Sequence, residues 1–134
     1  MSSLNAYSNI SSTNGTTAKR IVETFLTTKL ADLPKQLDQF CAADMQFSSP
    51  LGHSRDVKGF ADFLNETRWQ FSELTLQKVF ADGQDVCAVY VKRSHNPQIG
   101  ELIFTDVFKL SDNKIKSITS NFNAKPLIDT LCEI

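Results

Sequence analysis

Alternation of apolar and polar residues in the second half of the chain predicts a β-sheet, and the clearest alternation covers residues 101–109. One face of that predicted strand carries Leu102, Phe104, Asp106 and Phe108. A carboxylate among Phe and Leu side chains loses its hydration unless another group pairs with it or it takes up a proton. The pattern therefore indicates a pocket around Asp106 more clearly than it indicates a reaction.

The same two-residue period predicts the neighbouring strands. Residues 74–80 form a strand whose parity shifts midway, which indicates a β-bulge. Residues 86–93 are apolar on both faces, which indicates a central strand or one covered by a second subunit. A short strand is expected at 45–49 and a last strand at 114–122, after a tight turn.

A helical period governs the first half of the chain. Apolar residues at helical spacing predict three helices, one capped by Thr17, one starting near Pro34 and one capped by Asp56. Three helices followed by an antiparallel meander predict an α+β fold with helices on one face of a strongly curved sheet. The hollow between sheet and helices is a natural place for a small ligand.

Length and composition predict a single domain. The chain has 134 residues, of which 41% are hydrophobic and 22% charged. Residues 1–17 are polar and are predicted to form a tail outside the core. We expect one domain over 18–126 and a C-terminal segment over 127–134.

Net charge and cysteine spacing indicate which binding partners and which cellular compartment to expect. The formal net charge is −1, so the chain lacks the basic footprint of nucleic-acid or anionic-membrane binding, and no apolar run is long enough to span a membrane. Cys41, Cys87 and Cys132 are widely spaced and odd in number, which indicates free thiols. Without a recognisable signal peptide, the expected location is cytoplasmic.

Three segments together resemble the nuclear transport factor 2-like superfamily, and within it the ketosteroid isomerases and SnoaL-like polyketide cyclases. They are the helix-Pro-helix start, FSSPLGH at 47–53, and TDVFKL at 105–110 before an NKI turn at 113–115. The resemblance covers about residues 18–125. It implies a cone-shaped, strongly curved, mainly antiparallel sheet wrapped around an N-terminal helical layer, which is the cystatin-like or nuclear transport factor 2-like fold.

The resemblance does not extend to the catalytic mechanism of the ketosteroid isomerases. Those enzymes use an aspartate base, with a tyrosine and a protonated aspartate that hold the developing oxyanion. By position, the base falls on Ser49, the tyrosine on Phe25 and the protonated aspartate on Asp106. Serine is not a general base at neutral pH unaided and Phe donates no hydrogen bond. What the resemblance implies is the fold and an apolar cavity containing one acid.

Asp106 and His53 are the candidate catalytic residues. Asp106 is expected to be an acid or oxyanion donor with a raised pKa, or alternatively a buried structural carboxylate satisfied by its neighbours. The resemblance puts His53 near the cavity mouth, where it would replace the missing base; the alternative is a solvated loop histidine. The candidate ligand-binding residues are Phe25, Ser49, Leu51, Trp69, Tyr90, Phe104, Phe108, Ser120 and Phe122.

Tyr90 has two interpretations. It shares a strand face with Val86 and Ala88, so its hydroxyl is a candidate to reach Asp106 across the sheet. Alternatively, it points outward at a subunit contact.

Two functions remain open. The chain binds a small hydrophobic molecule with acid-base catalysis of the isomerase, dehydratase or cyclase type centred on Asp106, or it is a non-catalytic ligand-binding or dimerisation module. No phosphate-binding loop and no clustered metal ligands occur, so we expect neither cofactor nor metal. A homodimer through the sheet is expected because the strand at 86–93 is apolar on both faces.

Overall fold

The fold was analysed on a computed structural model that describes residues 2–28, 32–67 and 70–132. Its helices and strands within those residues are α1 (Ser2–Thr27), α2 (Leu33–Phe40), β1 (Cys41–Ser49), β2 (Gly52–Ser54), α3 (Val57–Thr67), β3 (Phe71–Asp82), β4 (Asp85–Ser94), β5 (Glu101–Ser111), β6 (Lys114–Asn121) and α4 (Lys125–Cys132). The first three helices therefore precede the meander of β3 to β6, which confirms the predicted α+β order, and α4 follows the meander.

Helix α1 extends further toward the N-terminus than the sequence pattern predicts. It begins at Ser2, so Thr17 lies inside the helix and the prediction that Thr17 caps it is wrong. Gly15 is buried next to Ala81 of β3, so the end of the predicted tail contacts the sheet. Polar residues are compatible with a helix wherever they face solvent, and the apolar stripe that begins at Ala18 marks the part of α1 that packs on the core.

The six strands form one open sheet in the order β2-β1-β6-β5-β4-β3. Strands β1 and β6 are parallel, and every other neighbouring pair in this sheet is antiparallel. The register of β3 against β4 shifts between Leu76 and Lys78, which confirms the predicted bulge. Further shifts occur in β1 and β5, and such bulges bend a sheet and increase its twist.

The turn between β5 and β6 follows its sequence. Asp112 and Asn113 both have positive φ, 52° and 61°. Positive φ at both central residues is the geometry of a type I′ hairpin, and Asn and Asp adopt it more readily than other non-glycine residues. This turn fixes the register that sets β6 against β5.

The core lies between the helices and one face of the sheet. Val86 and Ala88 of β4, Phe108 of β5 and Ile115 of β6 are almost completely buried on this inner face. The opposite, outer face leaves Ile103 with 62% of its surface exposed.

Two further findings concern the helices. The sequence pattern assigns no element to the end of the chain, where the structure has α4, whose Leu127 joins the core. Within the described ranges, none of the helices combines the length and apolar character needed to cross a lipid bilayer.

Candidate functional site

A cavity lies between the inner face of the sheet and the helices. Its volume, counted as space open to the centre of a water-sized sphere, is about 70 Å³. That is room for several waters or a small organic molecule, since about 10–15 Å³ by this measure holds one water. The wall is mostly apolar and includes Phe25, Phe47, Phe60, Phe63, Phe71, Phe104 and Phe122. Four neighbouring positions on β4, β5 and β6 supply polar groups: Tyr90, Lys92, Asp106 and Ser120.

Asp106 is the centre of these polar groups. The residue is only 4% exposed. Tyr90 donates its hydroxyl hydrogen bond to Oδ2 of Asp106, and Ser120 donates to Oδ1 at 2.6 Å. The sheet register explains the arrangement. Ser120 lies directly opposite Asp106 on β6, and Tyr90 is one inward position along from Ala88, the partner of Asp106 on β4.

The environment of Asp106 favours its neutral form. Burial raises the pKa of the Asp106 carboxyl above its usual range, and this outweighs the hydrogen bonds from Ser120 and Tyr90 and the charge of Lys92, which all lower that pKa. The pKa of the Tyr90 phenol is raised well above its ordinary value, first by burial and then by Asp106. Asp106 therefore holds its proton to a higher pH than a solvated aspartate does.

Lys92 is a polar member of the cavity wall that the sequence reasoning missed. Its Nζ lies 5.0 Å from the ring centroid of Phe104, 5.2 Å from that of Phe71 and 5.9 Å from that of Tyr90. Burial lowers the pKa of the Lys92 amine, while the Asp106 carboxylate acts in the opposite direction. The available signal was parity: position 92 follows 86, 88 and 90 on the inward face of β4.

His53 does not lie at the cavity. It is exposed on β2, where it pairs with Ser48, and it borders an outer depression together with Gln46 and Arg55. The expected position near the cavity mouth is wrong, because β2 folds back antiparallel along the edge of β1 and carries its histidine outward. The structure therefore brings no histidine next to Asp106 within the described residues.

Ser49 has a local structural role. Its Oγ donates to the carbonyl of Gly52 at 3.2 Å and accepts from the backbone N–H of Leu51 at 3.1 Å. These bonds stabilise the turn between β1 and β2. The turn places Leu51 on the cavity wall, while Ser49 itself is not part of that wall.

The remaining predicted ligand-binding residues divide into three groups. Phe25, Leu51, Tyr90, Phe104, Ser120 and Phe122 line the cavity. Phe108 is fully buried behind it and packs edge-on against Phe25 at a centroid distance of 5.9 Å. Trp69 lies outside the described residues. The inward orientation of Tyr90 also rules out the alternative in which it faces a subunit contact.

No metal-binding arrangement is present in the described part of the chain, because no three His, Cys, Asp or Glu side chains come together there. Cys41 and Cys87 are free thiols. Burial raises the pKa of the Cys41 thiol to about 12, so it is a small core residue without thiolate reactivity. The side chain of Cys132 is outside the described residues.

Comparison with known proteins identifies the fold. No family model matches the chain, and no curated protein matches its sequence. An LEH-like epoxide hydrolase from M. tuberculosis is 19% identical and gives a TM-score of 0.70 over 89% of this chain and 92% of its own. A candidate isomerase of the SnoaL-like family from Agrobacterium tumefaciens is also 19% identical, with a TM-score of 0.65 over 81% of this chain and 98% of its own.

A de novo designed NTF2 fold protein is 21% identical, with a TM-score of 0.60 over 84% of this chain and 91% of its own. The chain thus has the nuclear transport factor 2-like, cystatin-like fold expected from its sequence. Identities this low show the fold alone. A fold that is shared by isomerases, an epoxide hydrolase and a designed protein does not itself indicate a reaction, so function must be argued from the cavity.

Proposed function

We propose that this protein binds a small hydrophobic molecule in the cavity and holds one polar group of that molecule against Asp106. The observation that carries the proposal is the contrast within the wall: apolar side chains surround a hydrogen-bonded cluster of Asp106, Tyr90 and Ser120. An apolar cavity with a few convergent polar groups is typical of ligand sites. The ligand we expect is therefore largely hydrocarbon with one carbonyl or hydroxyl oxygen.

The proposed chemistry is acid-base catalysis centred on Asp106. A carboxylic acid that keeps its proton donates a hydrogen bond to a ligand oxygen as negative charge develops there. Lys92 replaces His53 as the candidate base, because burial lowers the pKa of its amine and thereby increases the neutral fraction that accepts a proton. This pair suits proton transfer next to a carbonyl, the step that isomerase, dehydratase and cyclase reactions share.

Ligand binding is tested by titrating ¹⁵N-labelled protein with benzyl alcohol, which combines an apolar ring with one hydroxyl. We expect the amide resonances of Phe104, Asp106 and Ser120 to shift saturably while those of the exposed Lys78 and Asp112 stay unchanged. The matched variant is D106N, which keeps the size of the side chain and removes the acid; it should bind more weakly. Shifts spread evenly over the surface, or none at all, would contradict the proposal.

Catalysis is tested by hydrogen–deuterium exchange at the α-carbons of cyclohexanone in D₂O. Acid-base chemistry at Asp106 should accelerate this exchange with the wild type and lose the acceleration in D106N. If benzyl alcohol binds and exchange is not accelerated, the non-catalytic alternative holds: the protein is then a ligand-binding module.

We also propose that two copies pair through the outer face of the sheet. The support is an apolar stripe on that face, where Cys87, Val89 and Val91 of β4 lie beside the exposed Ile103 of β5. Sedimentation equilibrium should give a dimer for the wild type and a monomer for I103K. A wild-type monomer at high protein concentration would refute pairing.

A further inference from the structure

The amine of Lys92 has an unusual environment for a lysine. Three aromatic rings surround its Nζ at 5.0 to 5.9 Å from their centroids. No hydrogen-bond or ion-pair partner contacts this ammonium among the described residues, and Asp106 acts on it through space only. By contrast, Lys116 and Lys125, on the surface, each pair with an aspartate.

The side chain of Lys92 is half-buried, so its ammonium is only partly hydrated. The ring faces attract a cation, whereas burial of the side chain lowers the pKa of the amine. The lowered pKa increases the fraction of neutral amine, and a neutral amine has the free electron pair that makes lysine a nucleophile toward carbonyl carbon. The same cavity wall carries an acid, Asp106, beside the position that a ligand would occupy.

We propose that Lys92 is a nucleophile that forms an imine with small hydrophobic aldehydes or ketones held in the cavity. This inference rests on the proposed function, because it requires that the cavity admits a ligand. It specifies the ligand class, which is a carbonyl compound with an apolar body, and it makes the attachment covalent and reversible.

The step balances without an added oxidant, reductant or cofactor. The Nζ of Lys92 attacks the carbonyl carbon, a C–N bond forms, and the carbonyl oxygen takes a proton from Asp106. The nitrogen then returns a proton to the Asp106 carboxylate, which leaves a neutral carbinolamine. A second transfer of the same kind moves the remaining N–H proton to the hydroxyl group as the C–O bond breaks. The products are one imine and one water, and Asp106 ends as it began.

Tyr90 and Ser120 have a supporting part in this step. Both donate to Asp106, and both hydrogen bonds lower the pKa of its carboxyl against the effect of burial. They stabilise the carboxylate that appears each time Asp106 gives up its proton. They also fix the carboxyl on the inner face, in the wall of the cavity that Lys92 also lines.

The inference is tested by reductive trapping, since cyanoborohydride converts an imine into a stable secondary amine. Wild-type protein is incubated with benzaldehyde and cyanoborohydride, and the labelled lysine is found by peptide mapping. We expect one benzyl group per chain at Lys92 and much less label at the exposed Lys109, because a lowered pKa increases the neutral fraction of the Lys92 amine. K92M should lose this label and K109M should keep it.

One control compound, benzyl alcohol, separates this inference from the proposed function. Benzyl alcohol has the same shape as benzaldehyde and forms no imine. If benzyl alcohol binds in the cavity while benzaldehyde labels Lys92 no more than Lys109, the imine inference is overturned and the ligand-binding proposal stands. If benzyl alcohol does not bind and Lys92 is not labelled, both are overturned. The wild-type peptide map decides the matter even if K92M fails to fold.

Discussion

The inner face of β5 contains two regions that are nearly alike in sequence but differ in how tightly they are packed. At one end, Phe108 is fully buried against Phe25 of α1. Two inward positions away, Phe104 is also buried, at 4% exposure, yet it borders the cavity, and Asp106 lies between the two rings. We call these the packed end and the hollow end of the strand.

The difference between the two ends comes from what the helices place opposite the sheet. At the packed end, Phe25 reaches Phe40 of α2 and Phe108 of β5, so rings fill the space between the layers. At the hollow end, the rings of Phe104 and Phe122 contact each other along the wall and leave the centre open. A period of two in the sequence determines which face is buried, but it does not determine how far the opposite layer fills that face.

The largest expected effect is the loss of stability in F108A. Replacing a fully buried Phe by Ala costs about 3–5 kcal/mol, because the surrounding core does not collapse into the space. F104A is the matched variant on the same strand and face, and we expect it to cost about 1 kcal/mol less, because its ring already borders the empty space of the cavity. Urea unfolding measures both; equal losses would mean that the two ends are packed alike.

D106L tests whether the polar cluster is an integral part of the hollow end. Leucine suits the apolar face, but it leaves the buried hydroxyls of Tyr90 and Ser120 without their acceptor. Each orphaned group costs about 1–3 kcal/mol, so we expect a total loss of about 2–6 kcal/mol.

The matched control for D106L is the triple variant D106L/Y90F/S120A. Replacing all partners of a buried hydrogen bond by apolar groups is nearly neutral, so the triple variant should recover most of the stability lost in D106L. If D106L alone were as stable as wild type, the hydrogen bonds would not contribute to the fold. Urea unfolding of all three proteins decides between these outcomes.

The sequence predicts much of this arrangement because the arrangement follows from short-range periodicity along the chain. The alternation through Phe104, Asp106 and Phe108 correctly predicts their common inward face, and the parity shift after Leu76 correctly predicts the bulge. The Asp112-Asn113 turn is equally local, since its backbone angles follow from residue type. Each of these depends only on neighbours along the chain.

The cavity wall depends on distant parts of the chain, and there the sequence predicts less. His53 has the right chemistry for a base, but its position follows from the pairing of β2 on the edge of β1, which no local pattern reveals. For Lys92, the only sequence signal was its inward parity on β4. That signal is weak, because a charged residue at the end of an apolar strand is usually at the surface. The environment of Lys92 depends on Phe71 from β3 and Phe104 from β5. Only the assembled sheet brings these residues together.

K92M tests how the positive charge of Lys92 affects the stability of the hollow end. Methionine has a similar length to lysine and carries no charge. We expect the free energy of unfolding at neutral pH to increase by about 1–2 kcal/mol, because the charge of Lys92 reduces stability and the substitution removes it. The pKa of Lys92 is lowered in the folded state. Between that pKa and about 10.4, the unfolded chain binds more protons than the folded one, so wild-type stability rises with pH.

The pH profile provides the control for K92M. The advantage of K92M over wild type should shrink as the pH rises through the folded pKa of Lys92, with a slope of at most about 1.4 kcal/mol per pH unit for one proton. K109M changes an exposed lysine and should follow the wild-type profile. A K92M advantage that is constant with pH would show that the charge of Lys92 is not the cause.

S120A is the mildest change at the hollow end. It removes one of the two donors to Asp106, so we expect a loss of about 1 kcal/mol, the typical net contribution of one hydrogen bond. The hydrogen bond from Ser120 lowers the pKa of the Asp106 carboxyl. Without that bond the pKa should rise further, which ¹³C NMR of the Asp106 carboxyl measures.

S117A is the matched variant on β6. Ser117 is half-buried and lies outside the cavity wall, by the outer depression near His53. S117A should change stability by no more than about 0.5 kcal/mol, as is usual for a substitution away from a hydrogen-bonded cluster, and should leave the pKa of Asp106 unchanged. Equal effects of S120A and S117A would mean that Ser120 does not act on the carboxyl. A pKa rise confined to S120A would mean that Ser120, on the neighbouring strand, lowers the pKa of Asp106 at the hollow end. The packed end has no corresponding effect, because Phe108 is not titratable.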